Sequence, residues 1–208
     1  MADIKLIATD LDGTFLIDVQ NPHPDNLAAV AECRKRGIHV CACTGRTWGN
    51  TAPIVRKAGL DEFCCVCNGA SIIDVATGKH RFRRRIEPAA VREILANGIE
   101  SGAEVMVLGY TTLYIYRQNN GEMMRKYESA FRALDDSQLE LHFSDTLDEM
   151  HAACADATEK IDFALSVPEG IEDIWDKLNA ITQVEITPSV PGTMEVSAKD
   201  RPHQTATP

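Results

Sequence analysis

Two aspartates separated by one residue stand where the first apolar run of the chain ends. The run covers residues 4–9, and Asp10-Leu11-Asp12-Gly13-Thr14 follows it directly. Side chains two residues apart point to the same side of an extended backbone, so both carboxylates can face one ligand. Gly13 allows a sharp turn that brings the backbone close to that ligand. The pattern predicts a chemical site, and the alternative is an ordinary turn made of acids and glycine.

Two further polar motifs also follow apolar runs. Cys43-Thr44-Gly45-Arg46 ends the second run and precedes a helical pattern. Thr44 therefore offers a hydroxyl beside the backbone amides of a helix N-terminus, which favour a bound anion. Asn68-Gly69-Ala70 ends the third run. Each motif taken alone is weaker than the aspartate pair. The alternatives are a plain strand-to-helix turn for the first and a hairpin turn for the second.

The elements that would position these motifs alternate between strand and helix. Apolar runs at 4–9, 38–43 and 63–67 predict buried strands, and helical patterns occupy 24–36 and 48–58. Buried strands separated by single helices imply a parallel sheet with right-handed crossovers. The ligand crevice of such a sheet lies beyond the carboxyl ends of its strands, which is where all three motifs stand.

The middle of the chain has a mixed α+β pattern that predicts a second domain inserted into the first. We expect residues 1–82 to form the first part of a parallel-sheet core, 83–190 the inserted domain, and 191–199 a return to the core. Residues 200–208 contain no large apolar side chain and are expected to be disordered. The inserted domain is predicted to contain helices at 91–98, 121–134, 147–157 and 171–181, and strands at 105–108, 113–116, 160–167 and 184–186.

Composition excludes several classes of protein. The chain has 208 residues, 44% of them hydrophobic and 25% charged, which is typical of a folded domain and not of a disordered chain. A net charge of -10 argues against nucleic acid as a partner, although a basic run occupies residues 81–85. No stretch is long and apolar enough to span a bilayer, and the first residues lack the features of a signal peptide.

The seven cysteines are an odd number, and most of them lie in the first third of the chain. This distribution favours a reducing cytoplasm over a secreted disulfide framework. Cys64-Cys65-Val66-Cys67 contains the spacing of a zinc ligand pair, and Cys41-Ala42-Cys43 could approach it. The favoured interpretation is that these cysteines are small buried apolar residues.

Together the motifs resemble those of the haloacid-dehalogenase-like (HAD) superfamily of phosphatases, and within it the Cof-type hydrolases. The resemblance runs from residue 4 to about 199 and implies a Rossmann-like core with an inserted α/β cap domain. It rests on Leu6-Ile7-Ala8-Thr9-Asp10-Leu11-Asp12-Gly13-Thr14, Ala42-Cys43-Thr44-Gly45-Arg46, Cys67-Asn68-Gly69-Ala70 and Gly192-Thr193-Met194-Glu195-Val196-Ser197.

The resemblance also implies a mechanism. Asp10 would attack phosphorus and form an aspartyl-phosphate, and Asp12 would protonate the leaving oxygen and then help water to hydrolyse the intermediate. Mg²⁺ would be held by the Asp10 carboxylate and the Asp12 backbone carbonyl. Thr44 and Gly45 would bind the phosphoryl group, with Asn68 as a further contact. The substrates would be small phosphorylated metabolites such as sugar phosphates.

Two elements of the family pattern have no counterpart in this chain. The family places a lysine after the cap, near His203-Gln204 by spacing, and an acidic motif after a fourth core strand. Without them we expect a truncated family member that holds Mg²⁺ weakly and has little or no activity alone. We also expect the edge of the first strand to be exposed.

Two alternatives come from other functional classes. A signalling receiver domain also carries acids after its first strand, but it would need an aspartate where Asn68 stands. A non-catalytic phosphate-binding or interaction protein on the same scaffold would need neither the lysine nor the late acids. The sequence carries no signal for the oligomeric state.

Overall fold

A computed structural model of the chain describes residues 4–60, 62–119, 138–165, 171–189 and 191–199, together with residues 121, 125 and 129. The described residues form two β-sheets with helices packed against them. The first sheet carries the three polar motifs of the sequence. The second sheet belongs to the unit that follows them in the chain.

The first sheet has the strand order β1-β2-β3-β4-β5. Strands β1, β2 and β3 are parallel, as predicted, and β4 and β5 extend the sheet antiparallel. Helix α1 (Pro24–Lys35) connects β1 to β2, and α2 (Trp48–Ala58) connects β2 to β3. The sequence analysis did not predict the last two strands. The strands are β1 (Leu6–Thr9), β2 (His39–Cys43), β3 (Phe63–Val66), β4 (Ser71–Asp74) and β5 (His80–Arg83).

Alternating burial explains why β2 and β3 form as they do. Val40, Ala42, Cys64 and Val66 are buried and belong to one apolar cluster, while the residues between them are partly exposed. This period of two is the one that a sheet covered on one face requires. Both connecting helices end at glycines with positive φ, Gly37 (70°) and Gly59 (62°), a conformation that other residues adopt only with strain.

Strand β1 lies at the edge of the first sheet, as expected, and β2 is its neighbour there. Its large apolar side chains are exposed: 57% for Ile4 and Leu6, and 38% for Ile7. An open apolar edge strand is a site at which another strand can pair. The sheet therefore places the aspartate motif at the end of an edge strand.

The second sheet has the strand order β10-β11-β9-β6-β7-β8. Three of the described helices pack on it, α3 (Pro88–Glu100), α4 (Leu147–Cys154) and α5 (Ile171–Asn179), and their apolar faces share one core with the inward side chains of the sheet. Helix α4 begins with a reciprocal capping box between Thr146 and Glu149. The strands are β6 (Glu104–Leu108), β7 (Thr112–Tyr116), β8 (Glu140–Ser144), β9 (Lys160–Ala164), β10 (Val184–Pro188) and β11 (Thr193–Ala198).

One predicted boundary was wrong. Residues 191–199 were expected to return to the first unit, but β11 pairs antiparallel with both β9 and β10 in the second sheet. The physical reason is that β11 fills the position between these two strands and pairs its backbone on both edges. The other domain bounds stay predictions. The expected tail at 200–208 and most of the expected helix at 121–134 lie outside the described residues.

A small apolar cluster joins the two sheets. Cys67 and Ala70, which follow β3, pack with Met106, Leu108 and Ala164 of the second sheet. The same contact region includes a backbone hydrogen bond of 3.1 Å from the Gly49 amide in α2 to the carbonyl of Tyr110. The contact brings one face of β9 and β11 to the carboxyl ends of β2 and β3. Within the described ranges, no helix has the length and apolarity that crossing a membrane requires.

Candidate active site

The turn after β1 is anchored by its apolar residues. Leu11 is fully buried and Phe15 nearly so, and the amide of Leu16 donates to the carbonyl of Leu11 at 2.9 Å. Gly13 adopts a φ of 71°, which reverses the chain there. Because the apolar side chains hold the turn inward, Asp10 remains exposed at the end of the strand.

The three motifs meet in one cleft of about 300 Å³ at the carboxyl ends of the parallel strands. Its lining includes Asp10 from the end of β1, Thr44 and Gly45 from the end of β2, and Asn68 from the end of β3; the other lining residues are Cys43, Cys65 and Gly69. The sequence pattern predicted this meeting from strand order alone. The chemical roles assigned to these residues stay predictions.

Thr44 is buried and its hydroxyl is oriented by its neighbours. The Thr44 amide donates to the carbonyl of Cys65 at 3.0 Å, and the hydroxyl accepts a hydrogen bond of 3.2 Å from the amide of Arg46. A hydroxyl that already accepts keeps its own proton to donate. Thr44 is therefore suited to donate to an oxygen of a bound anion.

The carboxylate of Asp12 lies in a two-point contact with the guanidinium of Arg46. Nε donates to Oδ2 at 2.8 Å, and Nη2 donates to Oδ1 at 2.5 Å. The third nitrogen, Nη1, donates to the carbonyl of Val19 at 2.8 Å. Arg46 is 9% exposed, whereas the Asp12 side chain is 57% exposed. The buried arginine thus holds both the acid and the loop that follows it.

We expect Arg46→Met to lower the free energy of unfolding by about 1–3 kcal/mol, because three charge-assisted hydrogen bonds are lost. Solvent partly screens Asp12, which limits the size of the loss. Arg46→Lys should recover only part of this loss, since an ammonium cannot reproduce the planar fork. Urea denaturation measures the effect. Arg36→Met is the matched control, because Arg36 pairs with Glu32 on the exposed surface. Equal losses for the two methionine variants would contradict this role of Arg46.

A second charged group, on the other sheet, lies next to two lining residues of the cleft, Gly45 and Asn68. Alternation along β9 buries Ile161 and Phe163 in the core of the second unit and turns Lys160 and Asp162 to the opposite face. Glu195 in β11 is the direct register partner of Asp162. Lys160 Nζ lies 3.1 Å from Asp162 Oδ1 and 3.1 Å from Glu195 Oε1.

The titration behaviour of this group follows from burial and charge. Burial by itself would lower the pKa of Lys160, but Asp162 and Glu195 outweigh it and raise the pKa, so the lysine stays protonated. Burial raises the pKa of Asp162 to about 6, against the opposing effect of Lys160. One buried cation is therefore balanced by two neighbouring carboxyl groups.

Asn68 connects this group to the cleft. Its side-chain Nδ2 donates to Glu195 Oε2, and its Oδ1 lies 2.9 Å from the point where a Cβ on Gly45 would stand. Lys160 Nζ lies 3.4 Å from the same point. A side chain at position 45 would force the Asn68 side chain to move, which is consistent with the glycine of this motif.

The sequence analysis assigned no role to four residues of the site: Arg46, Lys160, Asp162 and Glu195. Arg46 and Glu195 lie inside motifs that the analysis quoted. The signal for Lys160 is a charged residue at the start of a strand whose alternate residues are apolar. The described residues include no group of three or more His, Cys, Asp or Glu side chains that could hold a metal ion, so the zinc alternative gains no support.

Comparison with known proteins places this geometry in a family. A sequence model of the haloacid dehalogenase-like hydrolase family matches residues 7–201 of the chain. The chain belongs to this family. The predicted HAD membership is therefore confirmed, and the aspartate and threonine motifs lie within the matched residues.

Relatives of the HAD-like hydrolase include phosphatases. The 5-amino-6-(5-phospho-D-ribitylamino)uracil phosphatase YcsE of Bacillus subtilis is 39% identical over 72 residues, which are 35% of this chain and 29% of that protein. Pyridoxal phosphate phosphatase YbhA of Escherichia coli is 33% identical over 70 residues, or 34% of this chain and 26% of that protein. The chain thus spans less than a third of either curated relative in these matches.

Solved structures share the fold of the HAD-like chain over most of its length. A haloacid dehalogenase-like hydrolase from B. subtilis has a TM-score of 0.77 and 23% identity, covering 94% of this chain and 73% of that one. The HAD subclass IIB sugar phosphatase BT4131 has a TM-score of 0.73 and 17% identity, covering 94% and 70%. These likenesses confirm the α/β fold class with its two units.

Proposed function

We propose that the protein is a Mg²⁺-dependent phosphatase that hydrolyses phosphoric monoesters of small metabolites through an aspartyl-phosphate. The observation that carries the proposal is that Asp10 and Thr44 line one cleft at the carboxyl ends of β1 and β2. The names of the relatives support a small phosphorylated substrate of the sugar-phosphate kind. The cysteines that the structure describes are all free, which supports a cytoplasmic location.

In this proposal each residue of the cleft has a separate task. The exposed carboxylate of Asp10 attacks phosphorus, and the P–O bond to the leaving group breaks as the Asp10–phosphorus bond forms. The Thr44 hydroxyl, with the backbone at Gly45, donates to the phosphoryl oxygens. Fixed donors of this kind supply much of the catalysis in phosphoryl transfer, because they stabilise charge without reorganising.

Asp12 would move the protons of the reaction. It would enter the reaction as the carboxylic acid and give its proton to the leaving oxygen, and the carboxylate so formed would accept a proton from the water that attacks the aspartyl-phosphate. Its carboxylate lies on Arg46, so it has to leave this contact in order to reach the cleft. The large exposed fraction of the Asp12 side chain leaves room for that movement.

The residues present fit a Mg²⁺ ion by the chemistry of their donors. The Asp10 carboxylate and the Asp12 backbone carbonyl are hard oxygen ligands, and Mg²⁺ in phosphoryl-transfer sites is typically held by one or two carboxylates plus phosphate and water. When bound, the ion would neutralise charge between the nucleophile and the phosphate. With so few protein ligands, metal and phosphate should each strengthen the binding of the other.

A second candidate function is phosphate binding without catalysis. One observation favours it: Arg46 holds the carboxylate of Asp12 at two points, away from the role of a general acid. Such a protein would bind a phosphate group and Mg²⁺ but would release no product.

Titration calorimetry with Mg²⁺ and inorganic phosphate tests the proposal. We expect phosphate to bind at least about tenfold more tightly with Mg²⁺ present, and Thr44→Val to weaken that binding about tenfold through the loss of one hydrogen bond to an anion. Thr51→Val is the matched control, because the Thr51 hydroxyl is buried without a hydrogen-bond partner among the described residues. Absence of phosphate binding would contradict both candidate functions, and binding without turnover would favour the second.

A further inference from the structure

The backbone before and at Asn68 is held in an uncommon conformation. Cys67 and Asn68 have φ values of 49° and 55°, and they are consecutive residues that are not glycine. Backbone hydrogen bonds fix both residues: the Cys67 amide donates to the carbonyl of Arg46 at 2.9 Å, and the Asn68 amide donates to that of Thr44 at 3.2 Å. Backbone strain of this kind persists where the surrounding structure over-determines it, and it is concentrated at functional sites.

The side chain of Asn68 is held at both ends. Its Oδ1 packs against Gly45, and its Nδ2 donates one hydrogen to Glu195. A primary amide has two N–H donors, so one remains for another acceptor. Because Asn68 lines the cleft, the contact with Glu195 decides where that remaining donor lies.

Glu195 is in turn held by Lys160. Lys160 is 2% exposed and lies between Glu195 and Asp162, at 3.1 Å from an oxygen of each. Two carboxyl groups of the same sheet therefore balance its charge. Gly45 and Asn68, which line the cleft, lie between Lys160 and a bound phosphate. Lys160 is thus placed to fix Glu195 and not to bind a phosphate directly.

We propose that Glu195 and Lys160, both from the second sheet, are positioning residues that orient the Asn68 side chain toward a phosphate group in the cleft. The inference rests on the proposed function and adds to it a link from the second unit to the phosphate site. In the order of contact, Lys160 fixes Glu195, Glu195 fixes the Asn68 amide, and the amide faces the phosphate.

A double-mutant cycle on phosphate affinity tests the link. With Mg²⁺ present, Glu195→Ala and Asn68→Gly should each weaken inorganic phosphate binding about three- to tenfold, and the double variant should be no weaker than Asn68→Gly alone. Glycine suits the positive φ at position 68, so this variant should fold. The control is Asp148→Asn, which removes an ion pair with Arg92 on the exposed surface of the same unit.

A second readout requires no ligand. In the wild-type protein the Asn68 side-chain amide, assigned by its loss in Asn68→Gly, should exchange its hydrogens slowly. Both Glu195→Ala and Lys160→Met should speed that exchange at least about tenfold. If Lys160→Met does not fold, the Glu195→Ala result decides alone.

The results of these experiments separate a failure of the inference from a failure of the proposed function. Losses in phosphate affinity that multiply in the double variant would overturn the inference, because the two residues would then act independently. Exchange of the Asn68 amide that is unchanged in Glu195→Ala would overturn it as well. Failure of the wild-type protein to bind phosphate would overturn both candidate functions, while the amide exchange would still decide whether Glu195 and Lys160 hold the Asn68 side chain.

Discussion

Asp10→Asn is expected to remove the Mg²⁺-dependent release of p-nitrophenol from p-nitrophenyl phosphate, with a loss of at least about a thousandfold. Asparagine keeps the shape of the side chain, but its amide is neutral and cannot form the acyl phosphate. Initial rates at neutral pH measure the loss. The variant should also fail to take up covalent phosphate in acid-quenched samples, which connects the loss to the nucleophile itself.

The control for this prediction is Asp25→Asn. Asp25 is a highly exposed acid in the first turn of α1, near His23, and its substitution should leave the rate within about twofold. Turnover that survives Asp10→Asn would contradict the assignment of the nucleophile. Phosphate binding without turnover in the wild-type protein would instead favour the non-catalytic candidate.

Gly98→Ala is expected to lower the free energy of unfolding by about 2–3 kcal/mol, although alanine normally stabilises a helix by about 1 kcal/mol relative to glycine. Gly98 lies in α3 against the ring of Phe163, and a Cβ there would stand 2.1 Å from the Cε1 atom of that ring. Phe163 is 1% exposed, so its ring has no free space to enter. Urea denaturation measures the change.

Two further variants test whether this contact is the cause. Asn97→Ala, one position earlier in the same helix, should change stability little, because Asn97 is only partly buried. Adding Phe163→Leu to Gly98→Ala should restore part of the lost stability, since the smaller side chain makes room for the new methyl group. A Gly98→Ala variant as stable as the wild type would contradict the contact. Because Phe163 is next to Asp162 in β9, the packing also supports the charged group at the cleft.

The first unit was largely predictable because its signals are local. Each of the three parallel strands is a short apolar run, and each is followed at once by a polar motif. The carboxyl ends of parallel strands meet at one edge of the sheet, so Asp10, Thr44 and Asn68 had to come together. Strands β4 and β5 were missed because they carry mixed polar and apolar residues, and they form by pairing with a strand that already exists.

The family, the aspartate motif and the parallel order of the first strands can be predicted from the residues alone. The position of Glu195 in the second sheet, and its contact with Asn68, 127 positions earlier in the chain, depend on how the chain packs. The same is true of the contact between Arg46 and Asp12, 34 positions away. The physical reason is that a strand's apolar pattern specifies which face is buried, whereas its neighbours and its contacts across the cleft depend on the packing of the whole chain.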